Sequence, residues 1–294
     1  MTRKTSAANP VLDRLLFPLA QRFVAGRTIP EAVLAVRRLN QDGIRATLDV
    51  LGENVREQRS AVAAVNSYLE TLEWIHRSQI ESNVSLKLTQ MGLDIERQFC
   101  YSNVARICHK AAETGNFVRV DMEGSGYTEA TLSLFLDLNQ SCKNVGIVTQ
   151  AYLRRSAQDL ERINEAKARV RLCKGAYKER EEIAFQRMPE IRESFKRLVE
   201  QLFSHGTYPA IATHDDQLIR WTQEYIRQNR IGKDQFEFQM LYGVRPETQR
   251  ALAREGFRVR VYVPYGTHWL PYFSRRLRER KENIYFVLRH LFKR

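Results

Sequence analysis

Val170-Arg171-Leu172-Cys173-Lys174-Gly175-Ala176-Tyr177 is an apolar run that carries one arginine, ends in a lysine and a glycine, and precedes a long helical pattern at 181–203. Short, bounded by a turn and followed by a helix, it reads as a buried strand feeding a strand-to-helix loop. A charged guanidinium left unpaired in such a strand is strongly unfavourable. Arg171 is therefore either a member of an internal salt bridge or is kept for a ligand. Lys174-Gly175-Ala176 then offers a cation, a bare backbone and a helix N-terminus, a combination suited to an anionic ligand.

Outward from that stretch the same unit repeats on both sides. Residues 46–53 alternate like a strand and stop at Gly52. Asn54 with Glu57 has the form of a capping box, and Val55, Val62, Val65, Leu69, Leu72 and Ile75 mark one face of the helix that follows. Strands at 84–88, 117–122 and 146–152 precede helices at 99–112, 128–138 and 157–167. Strands at 210–213, 236–241 and 258–263 precede helices at 218–226, 246–254 and 269–291. Eight strands, each followed by a helix, predict an α/β fold of the (β/α)8 TIM-barrel type; an open doubly wound sheet is the alternative. Helical spacing at 11–25 and 30–39, broken by Gly26 and Pro30, predicts an N-terminal helical arm over residues 1–40 ahead of a barrel at 41–294.

A chain of 294 residues suits one barrel domain of this kind. Of its formal net charge of +13, a share of +8 lies in residues 258–294, where ten Lys/Arg face two acids. That balance suits nucleic acid, an acidic membrane surface or an anionic substrate, and excludes no fold. Cys100, Cys108, Cys142 and Cys173 show neither a CxxC nor a ligand spacing with histidine, so reduced thiols in the cytoplasm are expected. No uninterrupted apolar run is long enough to span a bilayer. The first nine residues lack the apolar core of a secretory signal and read as a frayed tail.

Polar residues collect toward the C-terminal ends of the strands: Asp49, Lys87, Asp121, Gln150, Arg171, Thr213 with His214, Gln239, and Tyr262 just after Arg260. In a barrel those ends converge on the face where active sites are built. One strand lysine is an ordinary salt-bridge partner. Eight polar positions at one register are costly to keep as scaffold, because each must be desolvated and paired. Two lookalikes are set aside. Gly124-Ser125-Gly126 has Glu129 where a dinucleotide fingerprint needs its third glycine, so it is read as a turn. His214-Asp215 has no second histidine at ligand spacing, and no metal is expected.

The last helix has an apolar stripe of Trp269, Phe273, Leu277, Ile284, Leu288 and Leu291, with Arg275 and Arg276 beside it. Paired guanidinium groups give planar, bidentate hydrogen bonds to a carboxylate. Glu279 is spaced to hold one of them. Arg278, Arg280 and Lys281 read as a solvated basic face.

Taken in order, these residues resemble the proline dehydrogenase family, in the form of its small, single-function bacterial enzymes. The resemblance runs from about Thr47 to Phe292. It rests on Leu48-Asp49-Val50-Leu51-Gly52-Glu53, Val84-Ser85-Leu86-Lys87-Leu88, Val120-Asp121-Met122-Glu123, Thr149-Gln150-Ala151-Tyr152 and Arg171-Leu172-Cys173-Lys174-Gly175-Ala176-Tyr177. It continues through Ala212-Thr213-His214, Phe236-Glu237-Phe238-Gln239-Met240-Leu241-Tyr242-Gly243, Arg260-Val261-Tyr262-Val263-Pro264 and Tyr272-Phe273-Ser274-Arg275-Arg276-Leu277. Each motif alone is unspecific; the ordered set is specific.

The resemblance implies a distorted barrel binding FAD non-covalently, which oxidises L-proline to 1-pyrroline-5-carboxylate and passes electrons to a membrane quinone. It implies that Arg171 meets flavin N5, and that Met122, Gln150, Lys174, Gly175, Ala176, Thr213 and His214 hold the rest of FAD. Arg275 and Arg276 take the substrate carboxylate, Lys87, Asp121 and Tyr262 frame the ring, and Glu53 closes over the site by pairing with Arg275. Asp121 is either a base or only the partner of Lys87. Implied partners are the quinone, an anionic membrane touched from the cytoplasmic side of the inner membrane, and a 1-pyrroline-5-carboxylate dehydrogenase; nucleic acid is not among them. Three positions depart from the family pattern: Gly124, Lys178 and Asp215. Competing readings are a hydroxyproline-oxidising relative, disfavoured by the bulk of Tyr262, and a non-catalytic basic barrel binding RNA or a membrane.

Overall fold

Period-two alternation along the strands puts apolar side chains under the helices and polar ones inside a closed parallel barrel. The computed structural model describes residues 16–279. Its strands are β1 (Arg45–Val50), β2 (Ser82–Leu86), β3 (Val118–Val120), β4 (Val145–Gln150), β5 (Arg169–Cys173), β6 (Thr207–Ala212), β7 (Glu237–Leu241) and β8 (Val259–Tyr265). Each pairs with its neighbour in sequence, and β1 closes on β8. The helices are α1 (Ile29–Gln41) ahead of β1, then α2 (Gln58–Ser78), α3 (Arg97–Glu113), α4 (Thr128–Ser141), α5 (Ser156–Glu165), α6 (Met188–His205), α7 (Asp216–Gln228), α8 (Pro246–Arg254) and α9 (Trp269–Glu279). One helix follows each strand, and the closure of β1 on β8 excludes the open doubly wound sheet.

The main apolar core lies between strands and helices. Leu48, Val84, Val120, Ile147, Leu172 and Val261 face outward onto residues such as Val65, Leu72, Ile107, Phe135 and Leu202. The barrel interior is polar instead, and its hydrogen bonds cross from strand to strand. In its lower half Thr47 donates to Asn83 at 2.5 Å, Arg260 donates to Glu237 at 2.8 Å, and Arg119 donates to the Arg169 carbonyl at 2.6 Å. Gly146 makes room there, because a Cβ at that position would lie 2.7 Å from the Arg119 guanidinium and 2.6 Å from the Arg169 carbonyl.

Helix starts depart from the sequence reading in two places. Asn54 and Glu57 form no capping box. Asn54 sits at φ +57°, its N–H donates to Thr89 Oγ1 at 3.0 Å, and α2 starts after Glu57 without a side-chain cap. Val62 is exposed, and the buried face of α2 runs through Ala61, Val65, Tyr68, Leu72 and Ile75. The helix expected from residue 181 begins only at Met188, with Pro189 in its first turn. Residues 174–187 form a loop that folds back on β4, where Phe185 N–H donates to the Tyr152 carbonyl and Ala184 packs with Tyr152, Leu153 and Ile191. Lys174-Gly175-Ala176 therefore stands on a loop and at no helix N-terminus. Gly124 opens a short 3-10 turn, Ser125–Tyr127, as the turn reading expected.

The arm is continuous with the barrel. Ala32, Val33 and Val36 of α1 belong to the main core. Ahead of α1, Leu19, Ala20, Phe23 and Val24 pack on Trp269, Tyr272 and Phe273 of α9, and the N–H of Ala25 donates to the carbonyl of Pro264. Of the stripe expected on the last helix, Ile284, Leu288 and Leu291 lie outside the described residues. The frayed tail lies outside them too, as do Arg280 and Lys281 and the side chains of Arg278 and Glu279.

Candidate active site

Asp121, just past the end of β3, is the hub of the upper barrel. Its Oδ1 accepts from Ser85 Oγ at 2.6 Å and from Arg171 Nη1 at 2.7 Å. Its Oδ2 accepts from Tyr262 Oη at 2.8 Å and lies 4.0 Å from Lys87 Nζ. Lys87 bonds more closely to Asp49, at 3.1 and 3.3 Å, and Asp49 also accepts from Tyr68 Oη at 3.1 Å. Burial disfavours the Lys87 ammonium, but the negative charges of Asp49, Asp121 and Glu123 outweigh it and hold its pKa above the usual lysine value. Burial, with Asp121 and Asp49 adding to it, pushes the Tyr262 phenol well up, so Tyr262 stays a neutral donor.

Arg171 lies between Asp121 and β7, with its Nε donating to Gln239 Oε1 at 2.5 Å and its Cζ 5.3 Å from the Tyr262 ring centroid. The strand pairing shifts register between Arg169 and Arg171 on the β6 side. Arg171 is an ion-pair member through Nη1, and among the described residues its buried Nη2 has no hydrogen-bond partner. One more buried atom nearby is in the same condition, Gln150 Oε1 on the adjacent strand. Orphaned buried groups are rare in native proteins and call for a partner outside the chain. The other end of Gln150 is fixed, since its Nε2 donates to the carbonyls of Met122 and Glu123 at 3.1 and 2.9 Å.

A second group forms around the β5 and β6 exits. Lys174 Nζ donates to Asp215 at 3.2 Å, and Arg192 joins the same carboxylate at 2.9 Å. Burial raises the Asp215 carboxyl, but Arg192 and Lys174 outweigh it and leave it below the usual aspartate value. Asp215 also caps α7 by accepting from the Gln217 N–H, and Thr213 Oγ1 accepts the N–H of Asp215. His214 Nε2 accepts from the Leu241 N–H at 2.9 Å, which makes Nδ1 the protonated nitrogen of a neutral ring. Gly175 is required twice over: φ is +111°, and a Cβ would lie 2.2 Å from the Tyr152 ring. Ala176 is exposed on the same loop.

The rim comes from α9 and the β1 exit. Arg275 Nη1 donates to both oxygens of Glu53 at 2.9 Å, a contact spanning 222 positions in sequence. The partner of Arg275 is thus Glu53, and the expected role of Glu279 falls on a side chain outside the described ones. Arg276 is buried, with Cζ 5.2 Å from the ring centroid of Tyr272. Tyr177 lies within electrostatic reach of Glu123, Arg275, Lys87 and Glu53, and burial first, then Glu123, pushes its phenol up to about 12. Among the described residues no cluster of three or more His, Cys, Asp and Glu is placed to hold a metal ion.

Several members of this network carry no distinct sequence signal as site residues. Ser85 is legible only through alternation with Lys87. Tyr68 reads as one more apolar position of α2, although its hydroxyl bonds Asp49 and, at 2.8 Å, the Ser85 carbonyl. Glu123 was quoted for its motif alone, yet its buried carboxylate ties down Thr89 through both N–H and hydroxyl.

The fold and this polar mouth define a (β/α)8 enzyme whose site gathers cations around a shared carboxylate. The chain belongs to the proline dehydrogenase family: the family model described as proline dehydrogenase matches residues 32–289. It is 42% identical over 275 residues to proline dehydrogenase 1 of Bacillus subtilis strain 168, covering 94% of this chain and 91% of that protein. It is 37% identical over 298 residues to the proline dehydrogenase of Deinococcus radiodurans, covering 98% and 96%. Among solved structures it is similar to proline utilization A from Bdellovibrio bacteriovorus inactivated by N-propargylglycine, with a TM-score of 0.85 and 25% identity. That match covers 91% of this chain and 33% of the other, so the chain spans about a third of the larger protein. The relatives of similar length make the single-function type the fitting one, and the protein is a proline-oxidising oxidoreductase of the flavoenzyme kind.

Proposed function

We propose that FAD binds non-covalently at the C-terminal mouth of this barrel and that L-proline is oxidised there to 1-pyrroline-5-carboxylate, with a quinone as electron acceptor. The observation that carries this is Arg171, pinned at Nε and Nη1 with a buried Nη2 that has no hydrogen-bond partner among the described residues. A fixed cation with one donor to spare suits the electron-rich ring system of a reduced flavin. Gln150 Oε1, which has no hydrogen-bond partner among the described residues, fits a cofactor with several polar edges. Met122, Gln150, Lys174, Gly175, Ala176, Thr213 and His214 would hold the group with Arg171. When bound, FAD supplies the acceptor for the hydride that leaves the proline ring.

The remaining work falls to side chains of the chain. Arg275 and Arg276 take the substrate carboxylate, which fixes the ring in one orientation. Lys87 and Tyr262 frame the ring. Arg275 donates to Glu53 through one nitrogen only, which leaves the rest of its fork for a carboxylate while Glu53 closes the mouth. Proline must react as the neutral amine. Asp121, whose oxygens already accept from Ser85, Arg171 and Tyr262, acts as the anchor of these groups and not as the base.

Three partners complete the proposal. A quinone is lipid-soluble, and the basic stretch at 258–294 suits peripheral contact with an anionic membrane from the cytoplasm. No helix among the described residues is long and apolar enough to cross a membrane. The product calls for a 1-pyrroline-5-carboxylate dehydrogenase to consume it. The test is the purified protein assayed with L-proline and a short-chain quinone, with its cofactor released and identified. Released FAD and proline-dependent quinone reduction are expected. A protein without FAD, or one that reduces quinone equally without proline, overturns the proposal.

A further inference from the structure

Gln239 spans the barrel interior between its lower and upper layers. Its Oε1 accepts from Arg171 Nε above, and its Nε2 donates to Glu237 Oε1 below. Both are buried, Glu237 at 2% and Gln239 at 4% exposure. An amide has a donor end and an acceptor end, and a side chain of this shape fits its space either way round. Here both neighbours have only one hydrogen-bonding character. The guanidinium donates and never accepts, so it takes the carbonyl; the carboxylate accepts and takes the NH2. Glu237 stays ionised because Arg260 Nε donates to it at 2.8 Å, while Arg260 Nη1 is tied to the Ala46 carbonyl at 2.7 Å. Tyr208 Oη reaches the other carboxylate oxygen at 3.5 Å.

We propose that Gln239 is a positioning residue for Arg171, and that Glu237, anchored by Arg260, sets which end of the Gln239 amide faces the guanidinium. Asp121 and Ser85 both hold the guanidinium at Nη1, one corner of its plane. The second bond at Nε fixes its plane and thereby fixes where Nη2 stands. The barrel floor, well below the mouth, thus sets the aim of Nη2. This rests on the assignment of Arg171 to the cofactor.

Glu237→Gln keeps the shape and removes the acceptor-only character, so the Gln239 amide is no longer locked. The variant holoenzyme is expected to keep FAD content and KM for proline. Its rate of flavin reduction by proline should fall roughly tenfold. Its midpoint potential should become more negative by roughly 30 mV, the equivalent of a tenfold change in a two-electron equilibrium. Because the effect acts through Arg171, Glu237→Gln should add nothing further to either quantity in an Arg171→Met background. Wild-type rate and potential in Glu237→Gln overturn the proposal, as does a full additional effect in that background. If Glu237→Gln does not fold, Gln239→Met, which removes both bonds and keeps Glu237 paired with Arg260, decides by the same two readouts. A wild-type protein that proline fails to reduce defeats the functional reading and this proposal together; a reducible wild type with unperturbed variants defeats this proposal alone.

Discussion

Lys87→Met tests whether the charges in the upper barrel are a coupled set. Lys87 is 7% exposed and Asp49 is 0% exposed. With the ammonium gone, the described partner left to the Asp49 side chain is Tyr68 Oη at 3.1 Å. Asp121 loses little, since Ser85, Arg171 and Tyr262 still donate to it. Removing one partner of a buried ion pair strands the other and costs about 3–5 kcal/mol, a large part of the ~5–15 kcal/mol that keeps a domain folded. Equilibrium urea unfolding reads that loss directly. In an Asp49→Asn background the Lys87→Met loss should be smaller by about 2–3 kcal/mol, the upper range for coupled neighbours. A loss below ~1 kcal/mol, or simple additivity with Asp49→Asn, would mean the pair is solvated and the charge network is not as described.

Other consequences are open to direct measurement. Arg275→Lys and Arg276→Lys keep the charge and lose the planar fork; each should raise KM for proline by roughly ten- to over a hundredfold, the equivalent of about 1.5–3 kcal/mol, with FAD content unchanged. Asp215 has a folded pKa below its ordinary 3.8, so the stability it contributes is present above 3.8 and is lost as pH falls through the depressed value. Asp215→Asn should therefore flatten the acid limb of the stability–pH curve in that window, as followed by circular dichroism. Co-sedimentation with anionic vesicles should weaken as salt rises, and equal pelleting with neutral vesicles would contradict an electrostatic contact.

The barrel was legible because its interior is polar. A polar residue pointing in and an apolar one pointing out make period two visible in β1, β2, β3, β5 and β8, and they bring Asp121, Lys87, Arg171 and Tyr262 into one list before any contact is known. What stayed hidden depends on contacts far apart in the chain. Asn54 looks like a cap until Thr89, 35 residues away, takes its N–H. Residues 181–187 have helical spacing, yet Ala184 and Phe185 are drawn onto Tyr152 and Leu153 instead. Local spacing offers Glu279 to Arg275, and only the family resemblance brings in Glu53, which follows β1 and meets Arg275 beyond the neighbouring β8. Tyr68 is invisible as a polar residue because its ring fills an apolar stripe while only its hydroxyl reaches the site.

The central claim is that proline reduces a flavin held against Arg171. Anaerobic mixing of the purified protein with L-proline, followed through its visible absorbance, tests this in a single experiment. The protein should be yellow, its flavin band should bleach on adding L-proline, and Arg171→Met should bleach more slowly with the same FAD content. A colourless protein, or a flavin band that L-proline leaves unchanged, contradicts it.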